Sequence, residues 1–337
     1  MSETTPNLTT VGDSGKNAGL VTVILPIYNA ACYLRECLDS VSAQTYRNIE
    51  VLMVNDGSTD DSAAICRQYE RTDSRFRVIN RANGGVSVAR NTGIAMSSGE
   101  FICFIDADDV MHTEAIEAFI TALGVSGADM VQCAFDSGNF PRFSDIDLPS
   151  LSNLQIYDNY ELLEKGLYQS VMVNSACGAL FRRYIFDGGL RFSVARRYED
   201  LDIFYKWLLQ SRKVAYLPEK LYFYRQHPDS FIQRFAAARL DVLDVTDEML
   251  ANISALNDKA LELAARDRRF SAHFNIWTLL MANNVELPEI EERCIKVIRQ
   301  ERFSEILNPK VRMKNKLGAL ASYGGKRLVR ALMGFVS

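Results

Sequence analysis

Short apolar runs alternate with segments of helical apolar spacing from residue 20 to residue 128. The runs are rich in β-branched and aromatic residues and are bounded by turn residues, so they predict buried strands. Repeated βα units of this length are typical of a parallel sheet that helices cover on both faces. The predicted strands are 21–25, 49–54, 76–79 and 101–105, and the predicted helices are 31–43, 60–71 and 86–97.

The pattern becomes irregular between residues 129 and 235. It predicts a strand at 130–133, helices near 158–169 and 200–211, and an aromatic strand at 221–224. This is typical of a substrate-binding half that follows a nucleotide-binding half. We therefore predict five regions, which are listed in chain order: a flexible tail (1–19), a nucleotide-binding half (20–128), an acceptor half (129–235), a helical region (236–309) and a basic tail (310–337).

Composition narrows the class of protein. The net charge of −4 excludes nucleic acid as a main partner, because phosphate backbones select basic faces. The seven cysteines form no CxxC pair, and their number is odd, which argues against a zinc site or a disulfide framework. No apolar stretch is long enough to span a bilayer, and the first residues lack a secretory signal. Together these features predict a cytoplasmic protein.

The segment 310–337 differs from the rest of the chain in charge. It holds seven Lys and Arg residues and no acidic residue, so the remainder carries about −11 (−4 minus +7). Leucines and other apolar residues are interspersed among the cations. An amphipathic basic segment suits an anionic membrane surface and predicts peripheral association with the inner face of the plasma membrane. The alternative is a basic helix that packs on the acidic body of the same protein.

Three polar clusters follow predicted strands directly. Residues 26–29 (PIYN) follow the first strand, 55–60 (NDGSTD) the second and 106–109 (DADD) the fourth. Ligands bind in open parallel sheets at the edge formed by the carboxyl ends of the strands. The three clusters therefore predict one binding site at that edge.

Three carboxylates within four residues follow the very apolar strand at 101–105. Charge at the end of a buried strand is costly unless something neutralises it. Mg²⁺ or Mn²⁺ suits this role, because such an ion takes one or two carboxylates and completes its shell with phosphate oxygens and water. The alternative is that Asp109 caps a helix that starts near Met111, with Asp106 and Asp108 merely solvated.

Two further segments suit a nucleotide. Asp56 is placed to accept a hydrogen bond from a nucleobase or ribose, because Gly57 permits close backbone approach; the alternative is that Asp56 caps the following helix. The stretch 83–91 (NGGVSVARN) resembles a loop that runs into a helix, and Arg90 lies one turn down. Its guanidinium would hold a carboxylate or a phosphate at the site. The stretch is not GxGxxG, so a dinucleotide fingerprint is excluded.

Candidate acid–base chemistry comes later in the chain. Glu199 and Asp200 precede an amphipathic helix, and an ionised carboxylate oriented at a helix start suits a general base for a hydroxyl. A plain N-cap is the alternative for Asp200. His227 follows the aromatic strand as a candidate metal or phosphate ligand, or as an ordinary surface histidine.

Together these residues resemble the large inverting family-2 glycosyltransferases of the GT-A fold, the type that builds bacterial surface polysaccharides. The resemblance covers roughly residues 20–235, in order and at normal spacing. The matching segments are VTVILPIYNAACYLRECLDSV, IEVLMVNDGSTDDS, NGGVSVARNTGI, GEFICFIDADD, YEDLDIFYKWL and YRQHPDS. It implies an α/β fold of the nucleotide-diphospho-sugar transferase type, a doubly wound and mostly parallel sheet, here followed by a helical region.

The resemblance also implies roles for individual residues. Asp56 would contact the uracil of a UDP-sugar, with Pro26 and Tyr28 lining the same pocket. Asp106 and Asp108 match the DxD motif, in which Asp108 would ligate the metal and Asp106 would bind ribose or metal. Asp200 matches the catalytic base, with Glu199 beside it. Asn29 and Arg90 complete the set of nucleotide-binding candidates.

The expected activity is transfer of one sugar to a saccharide or lipid-linked saccharide hydroxyl, with inversion. Processive synthases of the family carry QxxRW and membrane spans, and this sequence has neither. Residues 174–178 (NSACG) depart from relatives that often carry a Trp before a Lys-Leu pair, which leaves sugar and acceptor specificity open. Two other classes are a nucleotide-binding scaffold with an inactive site and a sugar-nucleotide nucleotidyltransferase. Asp108 and Asp200 argue against the first, and the absence of a Gly-rich basic loop after the first strand argues against the second.

Overall fold

The computed structural model describes residues 19–143, 151–171, 174–226 and 237–336, with side chains described up to residue 331. Its first half alternates strands and helices as the apolar runs predict. The elements, with their bounds, are β1 (Val21–Ile27), α1 (Ala31–Ser42), β2 (Ile49–Asn55), α2 (Ser62–Thr72), β3 (Phe76–Asn80), α3 (Val86–Met96), β4 (Phe101–Phe104), β5 (Val110–Met111) and α4 (Ala115–Ser126). All residues of β1 and β4 are buried, because helices cover both faces of the sheet there.

The second half is more irregular and adds short strands to the same sheet. Its elements are β6 (Met130–Gly138), β7 (Gln155–Asp158), α5 (Asn159–Leu167), β8 (Ala179–Arg182), α6 (Tyr184–Asp187), α7 (Glu199–Gln210) and β9 (Lys213–Arg225). The strand predicted at 221–224 begins eight residues earlier than expected. Pro218 interrupted the sequence pattern, and the pairing of β9 with β6 shifts register around it, between Leu217 and Lys220. A β-bulge accommodates a proline in a strand interior.

One sheet joins the two halves in the order β3-β2-β1-β4-β8-β6-β9-β5, with β7 also paired to β9. The strands from β3 to β4 are parallel, whereas β8 pairs antiparallel with both β4 and β6. The carboxyl ends of β1, β2 and β4 therefore lie at one edge, as the polar clusters predicted. The strand β8 inserts the second half directly beside that edge.

An aromatic cluster fixes the second half against β4. Phe104 of β4 makes edge-on contacts with Phe181, Phe186 and Phe192, at ring-centroid distances of 5.5–6.1 Å. Trp207 of α7 packs on Phe181 at 4.7 Å. All five side chains are buried. Edge-on packing of this kind stabilises aromatic pairs beyond their area burial, so α7 is held firmly beside the sheet edge.

A helical region completes the described chain. A short 3₁₀ helix (Ala237–Leu240) leads into α8 (Asp241–Ser254), α9 (Lys259–Ala282) and α10 (Pro288–Leu307). Asp258 caps α9 by accepting hydrogen bonds from the N–H groups of Ala260 and Leu261, and Pro288 occupies the first turn of α10. Within the described ranges, no helix is both long enough and apolar enough to cross a membrane.

The basic segment forms α11 (Met313–Ser322) and α12 (Gly325–Val336). Its inner side packs on the body: Asn315 is buried and donates to Asp267 at 2.7 Å. Lys310 pairs with Glu164 at 2.7 Å and Lys326 pairs with Glu291 at 2.6 Å. Apolar side chains on the outer side stay exposed. The segment therefore packs as a basic helix on the acidic body and also presents an amphipathic outer surface.

Candidate active site

The three polar clusters meet at the carboxyl ends of β1, β2 and β4. Asn29, whose φ of 49° lies in the left-handed region, holds the first cluster to the second. Its side-chain oxygen accepts a hydrogen bond from the Thr59 N–H at 2.8 Å, and its own N–H donates to the Ser58 hydroxyl at 3.1 Å. Pro26 is buried in β1, whereas Tyr28 is 54% exposed and borders the edge.

Asp56 is buried at the end of β2 and holds the following loop. Its carboxylate accepts hydrogen bonds from the backbone N–H groups of Gly84 and Gly85, the latter at 2.7 Å. Arg81 pairs with the same carboxylate at 2.7 Å. Gly57 has a φ of +76°, and an added Cβ would lie 2.9 Å from the Asn83 N atom. Only glycine fits this close approach.

Arg90 of α3 joins three carboxylates that come from distant parts of the chain. Its guanidinium bonds Asp200 at 2.9 Å and Glu199 at 3.2 Å through one terminal nitrogen. The other terminal nitrogen bonds Asp106 at 2.9 and 3.3 Å. The Arg90 side chain is only 2% exposed, and the Phe192 ring lies 5.1 Å below it. Arg90 therefore connects the DxD segment with the start of α7.

The electrostatics of this group centre on Asp200. Burial raises the pKa of Asp200, and the neighbouring carboxylates Glu199 and Asp106 raise it further. Arg90 opposes these effects by its charge and its hydrogen bond. The three carboxylates in turn raise the pKa of Arg90 against the effect of its own burial, so the guanidinium stays charged. The arrangement produces a carboxylate of raised basicity, which is the property of a general base.

A second network lies beneath the DxD segment and holds it. The Tyr222 hydroxyl of β9 donates to the Asp109 carboxylate at 2.6 Å and accepts from the Asp106 N–H at 3.2 Å. Arg225 donates its N–H to Asp109 at 2.9 Å and its Nε to the Asp108 carbonyl at 2.8 Å. It also pairs with Glu36 at 2.6 Å. Burial raises the pKa of Asp109, and Asp106 and Asp108 add to that effect.

Two carboxylates at this edge are candidate ligands for a divalent cation. Asp106 and Asp108 are half-buried, and two carboxylates with phosphate oxygens and water form a usual Mg²⁺ or Mn²⁺ shell. Among the described residues, no group of three or more His, Cys, Asp or Glu side chains is arranged to hold a metal by itself. The donor set therefore fits a cation that shares its shell with a diphosphate. His227, the third candidate ligand, lies outside the described residues.

The helix-capping alternatives for Asp109, Asp56 and Asp200 are wrong. Asp109 does not cap a helix near Met111, because α4 begins at Ala115 and the Asp109 carboxylate binds Tyr222 and Arg225 instead. Asp56 does not cap α2, where Asp60 accepts from the Ser62 N–H. The N-cap position of α7 belongs to Tyr198, whose φ is 60°, and no side chain caps that helix.

Three residues that contact the candidate site, Arg81, Tyr222 and Arg225, were not predicted from the sequence. Arg81 was detectable, since it is the first charged side chain after β3 at the same sheet edge. Tyr222 and Arg225 were recognised only as part of a strand and its end. Their contacts with Asp109 span more than a hundred residues of sequence, and no local pattern marks such a pairing.

A cavity of about 250 Å³ opens beside this group. The loop and helix start at 84–87 line one side of it, and residues 195–197 with Glu199 line the other. Ala238 and Asp241 complete the lining. The cavity therefore lies between the loop that Asp56 holds and the start of α7.

The sheet order, the DxD segment and the carboxylate pair at the start of α7 define a GT-A-type nucleotide-diphospho-sugar transferase fold followed by a helical region. The model of glycosyl transferase family 2 matches residues 22–190, which is half of the chain, and the protein belongs to that family.

Curated relatives agree with this membership. Glycosyltransferase GlyA of Streptococcus pneumoniae serotype 4 is 35% identical over 257 residues, which are 72% of this chain and 36% of GlyA. The chain thus spans about a third of GlyA. The uncharacterized glycosyltransferase EpsJ of Bacillus subtilis strain 168 is 29% identical over 303 residues, 87% of this chain and 86% of EpsJ.

Solved structures share the fold. S. aureus TarS 1–349 in complex with UDP-GlcNAc superimposes with a TM-score of 0.69 at 18% identity, covering 93% of this chain and 91% of that one. The mannosyltransferase PcManGT of Pyrobaculum calidifontis, in complex with GDP-Man and Mn²⁺, gives a TM-score of 0.52 at 18% identity. The coverage is 91% of this chain and 88% of PcManGT.

Proposed function

We propose that this protein transfers a single sugar from a UDP-sugar to a saccharide hydroxyl, with inversion, in the synthesis of a bacterial surface polysaccharide or lipopolysaccharide. The observation that carries the proposal is the cluster around Arg90. In this cluster, the two terminal nitrogens of one guanidinium bind the candidate base Asp200 and the DxD residue Asp106. A base beside a diphosphate-binding segment is what a sugar transfer requires, since the acceptor must lose a proton where the diphosphate leaves.

The donor assignment is supported by two independent observations. Asp56 lies at the carboxyl end of β2 and organises the loop 81–85, which suits recognition of a base by polar groups. TarS, which covers more than nine-tenths of this chain in the superposition, is in complex with UDP-GlcNAc. PcManGT, with a lower TM-score, is in complex with GDP-Man. We therefore favour uridine over guanosine as the donor base.

Asp200 acts in this proposal as the general base. The pKa of an acceptor hydroxyl lies far above neutrality, so the proton must move to Asp200 as the oxygen attacks the anomeric carbon. The bond to the diphosphate breaks on the opposite face, which inverts the configuration. Arg90 fixes the direction of the Asp200 carboxylate, and Glu199 beside it raises the pKa of Asp200 and so its basicity.

Asp108 and Asp106 are the residues that would hold Mn²⁺ or Mg²⁺. When bound, such an ion neutralises the charge that grows on the departing diphosphate. Tyr222 and Arg225 keep the DxD backbone in place from below through their contacts with the 106–109 segment. The chain therefore supplies a rigid pair of carboxylates, and not a complete cage, for a cation that arrives with the nucleotide.

The cavity between 84–87 and 195–199 suits the acceptor. It is lined by Arg196, Arg197 and Asp241, polar groups of the kind that bind saccharide hydroxyls. The QxxRW motif of processive synthases is absent from the sequence, which favours one sugar per encounter. We further propose a lipid-linked saccharide as acceptor and a cytoplasmic enzyme peripheral at the inner face of the plasma membrane.

Calorimetric titration with UDP tests the donor half of the proposal. We expect UDP binding that depends on Mn²⁺ or Mg²⁺, with much weaker binding of GDP and CDP. The Asp108→Ala variant is expected to lose the metal dependence. If wild-type protein binds none of the three nucleotides, Asp56 and the DxD segment are structural and the proposal fails.

Asp200→Asn tests the base. We expect transfer from the UDP-sugar to fall by about 10²–10⁴-fold while UDP affinity is retained, because the amide cannot accept the acceptor proton. The matched control is Asp187→Asn on α6, an exposed aspartate of similar chemistry that lies outside the Arg90 cluster. Near wild-type turnover of Asp200→Asn, with Asp187→Asn equally active, would refute the assignment.

A further inference from the structure

The outward side of the last three helices combines exposed apolar and basic side chains. On α10, Lys296, Arg299, Phe303 and Leu307 recur at helical spacing and share one stripe, and all four are exposed. Phe303 is 65% exposed and Leu307 64% exposed. A surface helix normally directs its apolar side chains inward, toward the core. This stripe therefore faces away from the fold that it belongs to.

Exposed hydrophobic side chains are also concentrated on α11 and α12. Of the seventeen large hydrophobic side chains that are exposed in the described part of the chain, seven lie between residues 303 and 328. They are Phe303, Leu307, Met313, Leu317, Leu320, Tyr323 and Leu328. Scattered exposed hydrophobics are ordinary, but a concentration in one helical unit marks an interaction surface. We call the exposed residues of 296–331 the basic face.

The charge of this face is one-sided. Residues 296–331 include ten Lys and Arg residues and two acidic ones, Glu301 and Glu305. Both glutamates are buried beneath the face, with exposures of 3% and 2%. Every acidic side chain of residues 296–331 therefore points inward, and the exposed charged side chains of this segment are all cations. A second copy of the chain is disfavoured as the partner, because a two-fold contact would press like charges together.

A cavity of about 210 Å³ opens within the basic face, between α9, α10 and the start of α12. Arg299, Arg302 and Lys326 line it, and Trp277 and Ile298 form its apolar part. Arg302 is fixed there, since its guanidinium stacks on the Tyr323 ring at 3.7 Å. Lys326 pairs with Glu291 at 2.6 Å. The three lining cations together with this glutamate therefore carry a net charge of about +2 (+3 minus 1). A pocket for a drug-sized ligand is larger, roughly 300–1,000 Å³, so a single anionic group fits better than a whole nucleotide.

We infer that the basic face lies on an anionic lipid bilayer and that the cavity between Arg299, Arg302 and Lys326 binds a lipid phosphate. The exposed apolar side chains enter the headgroup boundary, while the surrounding cations meet the anionic surface. The site extends beyond the basic segment 310–337, because α10 contributes Arg299 and Phe303. The inference deepens the proposed function, on which its biological meaning rests, by placing the enzyme at the membrane of a lipid-linked acceptor.

Vesicle flotation of the full chain tests the inference. We compare vesicles of phosphatidylcholine alone with vesicles that contain one-third phosphatidylglycerol. The full chain is expected to float with the anionic vesicles only. Arg299→Ser combined with Lys326→Ser should weaken that binding by about 25-fold, because each cation near the surface contributes about fivefold. Leu317→Ser should weaken it by roughly tenfold through lost apolar insertion.

The matched control combines Arg67→Ser with Lys259→Ser, which removes the same charge from exposed positions on α2 and α9. It should float like the wild type. An equal loss in the control, or equal flotation of wild type with both kinds of vesicle, overturns the inference. Competition with inorganic phosphate separates a lipid headgroup from a soluble anion. At equal ionic strength, phosphate should release no more of the chain than chloride does, because both salts screen the surface alike. Release by phosphate but not by chloride would overturn the lipid assignment.

UDP calorimetry on the same variants keeps this test separate from that of the proposed function. The cavity lies in the helical region, so Arg299→Ser with Lys326→Ser should bind UDP as the wild type does. Lost flotation with intact UDP binding supports the membrane site. Intact UDP binding with vesicle binding absent in the wild type overturns the membrane site and leaves the transferase proposal standing.

Discussion

Arg90→Lys is the substitution that tests the architecture of the candidate site most directly. Arg90 holds Asp200 and Glu199 through one terminal nitrogen and Asp106 through the other, all at 2.9–3.3 Å. Lysine keeps the charge but offers one compact ammonium in place of a planar fork. The ammonium can pair with Asp106 or with the Glu199 and Asp200 carboxylates, but it cannot hold all of them in their present positions. The substitution therefore separates charge from geometry.

The magnitude follows from burial. Breaking one partner out of a buried ion pair costs about 3–5 kcal/mol, and Arg90 is 2% exposed. Lysine recovers part of that cost through its charge, so we expect a moderate loss of folding stability. A misplacement of about 1 Å at a reacting group costs about 10²-fold in rate. We expect kcat/KM to fall by about 10²-fold in Arg90→Lys and further in Arg90→Met.

The pH dependence of kcat/KM gives a second, independent readout. Burial raises the pKa of Asp200, and so do Glu199 and Asp106, whereas Arg90 lowers it. A weaker contact with the cation therefore raises the pKa of Asp200 further. Asp200 must be ionised to accept a proton, so the rising limb of the pH profile should move to higher pH. The assay is initial-rate transfer from a UDP-sugar over a pH series.

Arg81→Lys is the matched control, because Arg81 pairs with Asp56 at 2.7 Å but lies outside the Asp200 cluster. It should weaken UDP binding and leave the position of the pH profile unchanged. If Arg90→Lys instead retains wild-type kcat/KM and pH profile, the guanidinium does not position Asp200 for catalysis. The reasoning from the three-carboxylate contact would then be refuted.

Three smaller predictions concern the supporting structure. Tyr222→Phe removes the hydroxyl between the Asp109 carboxylate and the Asp106 N–H, so Mn²⁺-dependent UDP binding should weaken by about tenfold in calorimetry; unchanged affinity would contradict this. Gly93→Ala places a Cβ 2.3 Å from the Ile24 side chain and should cost about 1–3 kcal/mol in denaturant unfolding, whereas Gly124→Ala, with nothing within 4 Å, should cost nothing. Burial lowers the pKa of His273 to about 4, so the unfolded chain takes up a proton first as the pH falls from roughly 6.5. The wild type should lose up to about 3 kcal/mol between these pH values, and His273→Gln should show a flatter decline.

The sequence alone predicted the layers of the fold and the edge that carries the site. Continuous apolar runs such as 21–25 and 101–105 are buried on both faces, and that burial leaves a pattern that can be read locally. Parallel strands direct their carboxyl ends to one edge, so the clusters after β1, β2 and β4 had to meet there. The short strands β5, β7 and β8 were not predicted, because none of them contains a continuous apolar run like the five residues at 101–105.

Contacts between remote segments were decided by the tertiary structure. Arg90 and Asp200 are separated by 110 residues, and only the insertion of β8 beside β4 brings α7 to the sheet edge where they meet. The same packing raises the pKa of Asp200, since that shift comes first from burial. Composition showed that the segment 310–337 is basic, but the fold determined that Glu301 and Glu305 of α10 turn inward. Residue chemistry and periodicity are local properties of a chain, whereas the burial and pairing of charges depend on which distant surfaces it brings together.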